Sequence, residues 1–384
     1  MPAPTLSPAA PPDADTAAAP GTMQASGREL FVMAAVAFAL RAALFLLVAA
    51  RFHVTFDRWA LRDDGASYVH YASALLGDAS QLTEYDRRVF PGYPGLIALL
   101  HLCHVPFTVA AVGIDWVSAG VVAILGAVLF RDRRIGWALT CLIPQYFMNS
   151  SLAMSEAPLL ALSLGGLVLA SRSRSSAGGF LLGLAGLVRP MACFAVIAQV
   201  CRDLLGRKMR GAIMVAALSG AVVMTGVAAL HVWTGDALHG AKIYASGQST
   251  YNGELFVRPF HSLIHESLRP EVSAARVCYV WAHVAIVLAA LAALAVNCFR
   301  DGRDSDPRDL LAFPWLAGNT LFVLCIGSYW GFQHFPRFLI PALPALFWAV
   351  RGALPRRPAA WAVLAACVLA ASSAIVLKDF VVPR

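Results

Sequence analysis

Residues 30–50 read LFVMAAVAFALRAALFLLVAA, an apolar run that follows Arg28. A helix of about 20 apolar residues is long enough to span the hydrocarbon core of a bilayer. The run is too long for the apolar region of a signal peptide, and further apolar segments follow it, so it predicts a retained membrane anchor. Residues 1–27, which are rich in Ala and Pro, are expected to form a disordered cytoplasmic tail ahead of a membrane domain over 28–384.

The composition extends this interpretation to the whole chain. Of the 384 residues, 59% are hydrophobic and 14% are charged, whereas soluble domains contain about 45–50% apolar and about 25% charged residues. The sequence therefore predicts an all-α, polytopic bundle of about 10–12 helices. The segments expected to cross are 30–50, 108–130, 135–153, 157–171, 177–188, 191–201, 211–233, 276–299, 310–328, 335–350 and 359–377.

Short basic clusters occupy every second loop between these segments. If the N-terminus is inside and the Pro-bounded stretch 92–104 does not cross, all the clusters face the cytoplasm, as the positive-inside rule requires. The clusters are Arg131/Arg133/Arg134, Arg172/Arg174, Arg202/Arg207/Lys208/Arg210, Arg300/Arg303/Arg308 and Arg351/Arg356/Arg357. Residues 177–201 must then cross twice, and residues 51–107 and 234–275 become long external loops. Topology also accounts for the net charge of +8, which excludes nucleic-acid binding as its explanation.

Two adjacent carboxylates follow the first predicted span, in the stretch RDDGASY of residues 62–68. A carboxylate at the membrane surface can deprotonate an acceptor hydroxyl, and a second carboxylate beside it raises its pKa. The alternatives are a metal site and a merely solvated Asp-Gly turn. A helix predicted from about Gly65 to Leu76 would carry Asp63 and Asp64 at its N-terminal end, with Tyr68 and Tyr71 at helical spacing.

Four arginines and one glutamate on the external side complete the polar set. Arg87 or Arg88, ahead of the rigid FPGYP of residues 90–94, is expected to pair with a lipid phosphate, with interfacial anchoring as the alternative. Glu156 is expected either to cap a helix or to be a second acidic group of the site. Arg189 interrupts an apolar stretch, where a charged residue is costly and a functional candidate.

Arg337 lies in FPRFLIPALP, residues 335–344, at the membrane boundary beside His334. Binding the phosphate of a lipid-linked substrate would need such a cation, and an interface anchor is again the alternative. In the loop 234–275, which also carries His239, His261 and His265 form an i, i+4 pair, a weak metal signal without an H-E-x-x-H pattern. A loop that covers the substrate is favoured there.

These motifs, taken in this order, resemble those of a known class of membrane enzymes. The resemblance rests on DGASY (64–68), FPGYP (90–94), SEAP (155–158), GLVRP (186–190) and PRFLIPALP (336–344). Together they resemble the GT-C class of integral-membrane glycosyltransferases, which use polyprenyl-phosphate-linked sugars, over about residues 30–350. Within that class the pairing of D-G-x-x-aromatic with F-P-x-Y-P is similar to a bacterial GPI-mannosyltransferase-like branch. The Asp-x-x-x-Tyr spacing is similar to that of aminoarabinose and protein mannosyltransferases.

The resemblance implies an inverting transfer, on the external side of the cell membrane, of mannose or another hexose or pentose to a lipid, glycan or protein acceptor. Asp64 would be the base, Asp63 would fill the second acidic place, and Glu156 would be the acidic group of the second external loop. Arg189 and Arg337 would bind the lipid phosphate. Apart from the resemblance, the residues themselves make Tyr68, Arg87, Arg88 and His334 further candidates for substrate binding. A divalent cation, Mg²⁺ or Mn²⁺, is left open by the sequence.

Two other functions stay open at this point. A flippase for a lipid-linked sugar would line a path at the membrane midplane with its charged residues, and internal sequence symmetry is expected of it. An O-antigen-ligase-like transferase would instead place its catalytic groups in the loop 234–275, with His239 or His261 critical. No Walker, Rossmann or G-x-S-x-G pattern is present, which argues against nucleotide-driven transport and serine hydrolysis.

Overall fold

The structure, a computed structural model, describes residues 23–236, 242, 256–300 and 305–381. Eighteen α-helices cover most of these residues, and no β-strand occurs among them apart from the single bridge Phe256–Ile326. Five helices in the described ranges are long and apolar enough to cross a membrane: Gly27–Phe52, Phe107–Phe130, Met209–Trp233, Ala274–Arg300 and Pro358–Ile375. The prediction of an all-α, multi-pass membrane bundle is confirmed.

In chain order the first ten helices are α1 Gly27–Phe52, α2 Phe56–Ala60, α3 Gly65–Leu75, α4 Gly92–His101, α5 Phe107–Phe130, α6 Arg133–Cys141, α7 Pro144–Asn149, α8 Glu156–Ser171, α9 Ser175–Val188 and α10 Cys193–Leu205. The remaining eight are α11 Met209–Thr234, α12 His261–Ser267, α13 Ala274–Arg300, α14 Pro307–Cys325, α15 Ser328–Gln333, α16 Phe335–Phe338, α17 Leu343–Ala349 and α18 Pro358–Val381. Short 3₁₀ turns lie at Tyr85–Arg88, Pro190–Ala192, Ile340–Ala342 and Arg351–Ala353.

Two of the predicted spans are broken where proline interrupts the helix. The segment 135–153 divides into α6 and α7, with Pro144 as the first residue of α7. The segment 335–350 divides into α16, a 3₁₀ turn and α17, with prolines in the first turn of each piece. A proline lacks the N–H that a helix interior needs, so each piece restarts at its own proline. These breaks leave backbone turns inside the bundle.

The chain reverses direction at Arg189-Pro190. Helices α8 and α9 pack antiparallel, since Gly178 lies against Gly166 and Ala170. Gly211, in the first turn of α11, faces side chains of both Ser175 and Asp203, so α9 begins and α10 ends at the same end of the bundle. The 14 residues of α9 and the 13 of α10 give lengths of about 21 and 20 Å. Both are shorter than the hydrocarbon core of about 30 Å, which predicts that the Arg189 turn is recessed from the membrane surface.

The basic clusters gather at one end of the bundle. Arg308 donates to the Phe130 carbonyl (3.3 Å), Arg202 donates to Ser171 Oγ (2.7 Å), and Arg131 and Arg172 line one cavity. Arg351 approaches Asp309 at 3.8 Å on the same side. Of the residues in those clusters, Arg303 lies outside the described ranges. The N-terminal end of α1 is also here, because the Met23 carbonyl accepts from the Arg133 amide (2.6 Å). The opposite end holds the acidic motifs.

The first long loop folds onto that opposite end as three short helices. Helix α3 covers Gly65–Leu75, in agreement with the helix predicted for about Gly65–Leu76. Helix α4 has 10 residues, about 15 Å, too short to span. Its first residue, Gly92, lies against the backbone at Leu187, where an added Cβ would come within 2.5 Å of the Leu187 carbonyl carbon. Only glycine allows this contact, which docks α4 against the end of α9.

Candidate functional site

Arg337 is the centre of a polar cluster at the end of the bundle opposite the basic clusters. Its Nη2 donates to Asp64 Oδ2 at 2.7 Å, and its Nε donates to Glu156 Oε1 at 2.6 Å. Two carboxylates far apart in sequence therefore share one guanidinium group. A planar guanidinium presents several fixed donors, so a single arginine can bridge both partners, which a lysine ammonium cannot do with the same geometry.

Arg88 and Arg189 flank the bridge. Arg88 Nη2 pairs with Asp64 Oδ1, so each oxygen of that carboxylate has its own guanidinium group. Arg189 Nη2 lies 3.0 Å from Glu156 Oε1. Three guanidinium groups thus surround two carboxylates, and the cluster keeps one net positive charge when both acids are ionised. The arrangement is suited to receive an anion.

Local structure explains why Asp64 reaches the cluster and Asp63 does not. Asp63 adopts φ +52°, in the left-handed region, and its side chain is exposed. Asp64 follows at the N-cap position of α3, and its side chain is only 23% exposed to solvent. Gly65 then lies so close to the Ala60 carbonyl oxygen that an added Cβ would come within 2.5 Å of it. The close approach, and not a glycine turn conformation, is what requires Gly65.

The charges around Asp64 set its protonation state. Burial by itself would raise the pKa of Asp64, but the positive charges of Arg337 and Arg88 outweigh it and hold the pKa well below the ordinary value of 3.8. For His334, burial and the charge of Arg337 act in the same direction. Burial, reinforced by the charge of Arg337, lowers the pKa of His334 to about 4 from 6.5. Asp64 is therefore ionised, and His334 neutral, at neutral pH.

Glu156 is fully buried at the first position of α8, and its side chain does not serve as a helix cap. Its Oε1 accepts from Asn149 Nδ2 (3.2 Å) in addition to the two arginines. Oε2 has no hydrogen-bond partner among the described residues. The helix N-terminus adds a partial positive charge near this carboxylate. Of the two interpretations offered by the sequence, the geometry favours an acidic member of the site over a simple cap.

Tyr68 and Ser155 connect the two acidic elements. The Tyr68 hydroxyl is 2.8 Å from Ser155 Oγ, which also accepts from Arg189 Nε at 2.5 Å. Arg189 Nη2 lies 3.4 Å from the Tyr68 oxygen. Arg189 thus fixes the turn at the end of α9 to the start of α8 and to α3. Its three partners show that it does not simply extend to the membrane interface.

The structure does not bring every predicted residue into this cluster. Arg87, beside Arg88 in the 3₁₀ turn, makes no hydrogen bond or ion pair with any described residue, as is also true of the Asp63 side chain. His261 and His265 lie in α12 with ring centroids 6.0 Å apart. No group of three or more metal-ligating side chains occurs among the described residues. His239, like residues 1–22 of the predicted tail and most of the stretch 237–255, lies outside the described ranges.

Divalent-cation binding is also poorly matched to the cluster itself. Both Asp64 oxygens and Glu156 Oε1 are already occupied by guanidinium groups. Mg²⁺ and Mn²⁺ prefer oxygen ligands with a surplus of negative charge, whereas this cluster has a surplus of positive charge. The donor set therefore fits a phosphate better than a metal ion.

Sequence reasoning missed several buried polar residues beneath the cluster. Arg41 in α1 donates to Ser150 Oγ through Nε (2.9 Å) and Nη2 (2.7 Å), and Asp115 in α5 accepts from the Met154 amide (3.1 Å). Both side chains are completely buried. The signal that could have found them is a lone charge inside an otherwise apolar span, which is rare and functionally suspect.

Fold and site together describe a multi-pass membrane protein with an anion-receptive cluster at one end of its bundle. The family model of glycosyltransferase family 87 matches residues 90–327, more than half of the chain. The chain belongs to that family, and it is therefore a membrane glycosyltransferase. The comparison with curated proteins gives no match. Within the cluster, Glu156 and Arg189 lie inside the matched region, while Asp64, Arg88 and Arg337 lie outside it.

Proposed function

We propose that this protein is an inverting glycosyltransferase of the GT-C type. It moves a sugar from a polyprenyl-phosphate carrier to an acceptor hydroxyl on the external side of the cell membrane. The observation that carries the proposal is the Arg337 bridge, which joins Asp64 (2.7 Å) and Glu156 (2.6 Å) beside two further arginines. A base and a set of phosphate-binding cations thus lie within one small volume, without any nucleotide-binding pattern in the chain.

In the proposed reaction Asp64 accepts the proton of the acceptor hydroxyl. The hydroxyl oxygen attacks the anomeric carbon of the sugar, with inversion at that carbon. The bond from this carbon to the phosphate oxygen breaks, and polyprenyl phosphate leaves with the electron pair. Arg88, Arg189 and Arg337 stabilise the charge that develops on the leaving phosphate, as oriented cations do in a water-poor site. Glu156 orients Arg189 and Arg337.

The pairing of Asp64 with two arginines bears on its role as a base. A carboxylate whose pKa is held so far below its ordinary value is a weak proton acceptor. A phosphate that enters the cluster competes for the same guanidinium groups and weakens their hold on Asp64. The donor therefore strengthens the base by the act of binding. Donor binding is then the step that prepares acceptor activation.

The remaining residues have supporting roles. His334 is neutral at neutral pH, which suits a hydrogen bond to the sugar or phosphate better than a charge contact. Tyr68 holds Ser155 and Arg189 in place. Arg88, rather than Arg87, is assigned to the phosphate because it alone of the two contacts Asp64. The proposal places the basic end of the bundle in the cytoplasm, in accord with the positive-inside rule.

The test uses purified protein in lipid nanodiscs and a panel of polyprenyl-phosphate sugars that includes the mannose derivative. We expect transfer to a lipid, glycan or protein acceptor, and a loss of at least 100-fold in kcat for Asp64→Asn. Asp63→Asn is the matched neighbour control and should stay within threefold of the wild type. Full activity of Asp64→Asn would overturn the mechanism.

The same assay separates the alternatives. An O-antigen-ligase-like mechanism would make His261→Ala inactive while Asp64→Asn stays active. A flippase would move the lipid-linked sugar between leaflets without forming a new glycosidic bond. Product analysis by mass spectrometry distinguishes this outcome from transfer.

A further inference from the structure

Asp115 lies beneath the Arg337 cluster, in the apolar helix α5. Its side chain is completely buried. Oδ2 accepts from the Tyr93 hydroxyl and from the Met154 backbone N–H (3.1 Å), while Oδ1 has no hydrogen-bond partner among the described residues. A carboxyl group inside a membrane helix is costly and is retained where it has a specific task.

The Met154 contact places Asp115 next to the site-bearing segment. Met154 immediately precedes Ser155 and Glu156, and residues 150–155 are not helical. Backbone groups outside a helix need other partners when they are buried. The indole N–H groups of Trp59 and Trp116 both donate to the Ser151 carbonyl (3.2 Å each). Along the chain, the Asp115 contact is the last of these anchors before Ser155.

The Tyr93 contact acts on the same site from a second direction. The Tyr93 ring packs edge-on against Tyr68, with centroids 4.9 Å apart. The Tyr68 hydroxyl is 2.8 Å from Ser155 Oγ. One carboxyl group therefore fixes the backbone ahead of Ser155 and, through two tyrosines, the side chain of Ser155 as well.

We propose that Asp115, together with Tyr93, is a positioning residue for the Ser155–Glu156 segment. It does not touch substrate. It holds the start of α8 so that Glu156 presents one oxygen to both Arg337 and Arg189. Loss of the Asp115 contacts loosens this presentation, which lowers kcat in the proposed transfer and leaves the KM for the donor nearly unchanged.

The first test does not depend on activity. Hydrogen–deuterium exchange is measured in the peptide that covers residues 150–156 of the purified full-length protein. Asp115→Leu removes the side-chain acceptor of the Met154 amide and leaves it only the local i−2 contact to the Leu152 carbonyl (3.0 Å), so we expect at least tenfold faster exchange at that amide. Asp115→Asn keeps an acceptor oxygen and should stay within threefold of the wild type. Asn319→Leu is the control, since Asn319 is buried in α14 without a side-chain partner among the described residues. Exchange in Asp115→Leu at the wild-type rate would overturn the inference.

The kinetic test rests on the proposed function. We expect kcat to fall at least tenfold in Asp115→Leu and three- to tenfold in Tyr93→Phe, with donor KM within twofold and with substantial rescue in Asp115→Asn. If Asp115→Leu does not fold, Tyr93→Phe decides the matter, and wild-type kcat in that variant refutes the positioning role. If the wild-type protein transfers no sugar at all, the proposed function fails, whereas the exchange experiment still decides the role of Asp115.

Discussion

Arg337 shows how much one side chain can organise when its charge is shared. Its two partners, the half-buried Asp64 and the buried Glu156, would each be costly in isolation, because removing a charge from water is repaid only by close pairing. The bridge pairs one oxygen of each carboxylate with the same guanidinium group, at 2.7 and 2.6 Å. The same residue is therefore expected to support both stability and donor binding.

Replacement of Arg337 by lysine separates these two contributions. Arg337→Lys keeps the charge but loses the fork that reaches both acids, so we expect the donor kcat/KM to fall at least tenfold. Arg337→Ala leaves two carboxylates underpaired and should destabilise the protein by about 3–5 kcal/mol. Steady-state kinetics and thermal unfolding in detergent measure the two effects. Arg87→Lys, outside the cluster, should change kcat/KM less than twofold, and an equal loss in both variants would contradict the assignment.

His334 predicts a pH dependence of stability. Its pKa is about 4 in the folded protein against an ordinary value of 6.5. Between these values the unfolded chain binds a proton that the folded protein does not, so this residue lowers stability as pH falls from 7 to 5. Asp64 does not contribute in this window, because its lowered pKa adds stability that is lost only below about pH 4. Apparent melting temperatures of the wild type and of His334→Asn at pH 7 and 5 provide the test. The drop should be smaller in the variant, and identical drops would refute the prediction.

Two pairs of adjacent, identical residues differ in their contacts although the sequence pattern treats their side chains alike. Arg87 and Arg88 carry the same side chain. Adjacent positions of a 3₁₀ turn point in different directions, however, and only Arg88 reaches Asp64. Asp63 and Asp64 divide in the same way because Asp63 takes the left-handed backbone conformation. The sequence left Arg87 and Arg88 as equal candidates and, through the resemblance, favoured Asp64 over Asp63; local backbone geometry is the physical reason why one member of each pair reaches the cluster.

At the scale of elements, short helices carry the site and long helices carry the scaffold. Asp64 occupies the N-cap position of α3, and Arg88 lies in a 3₁₀ turn. Arg189 lies between α9 and α10, and Arg337 lies in the four-residue α16. The breaks at Arg189-Pro190 and at the prolines around Arg337 leave these arginines at helix ends. Helix ends present side chains and unpaired backbone groups that a continuous span would conceal.

Helix α4 offers a matched pair of glycines for testing this docking. A Cβ at Gly92 would overlap the backbone at Leu187 and Val188, whereas a Cβ at Gly95 meets nothing within 4 Å. Gly92→Ala should therefore cost about 1–3 kcal/mol from overpacking. Gly95→Ala should be neutral or stabilise by up to about 1 kcal/mol, because alanine is the better helix former. Thermal unfolding of both variants measures the difference. Equal stability would show that α4 does not pack closely on α9.

At the scale of the whole molecule, the two ends of the bundle differ in charge chemistry. The basic clusters meet at one end, and the arginine–carboxylate cluster lies at the other. The reversal at Arg189 is what keeps the later clusters on the basic side. The charge bias then predicts that the basic end faces the cytoplasm.

Cysteine labelling tests this orientation in intact cells. Single cysteines replace Ser80 and Arg207 in a background without the eight native cysteines. Both positions are exposed, Ser80 in the first loop and Arg207 in a basic loop. A membrane-impermeant maleimide should label Ser80→Cys directly and Arg207→Cys only after permeabilisation. The reverse pattern would invert the proposed topology and place the site in the cytoplasm.

The sequence by itself determined the membrane class, the positions of the long apolar helices, the α3 helix and the set of charged motifs. These features depend on local quantities, namely apolar run length, proline positions and charge bias, which a linear pattern records directly. Only the tertiary structure decided that Asp64, Glu156, Arg88, Arg189 and Arg337 form one cluster. It also revealed Asp115 and Arg41 beneath that cluster. Contacts between distant segments depend on how the helices pack, and a single linear pattern does not encode which buried charge faces which partner.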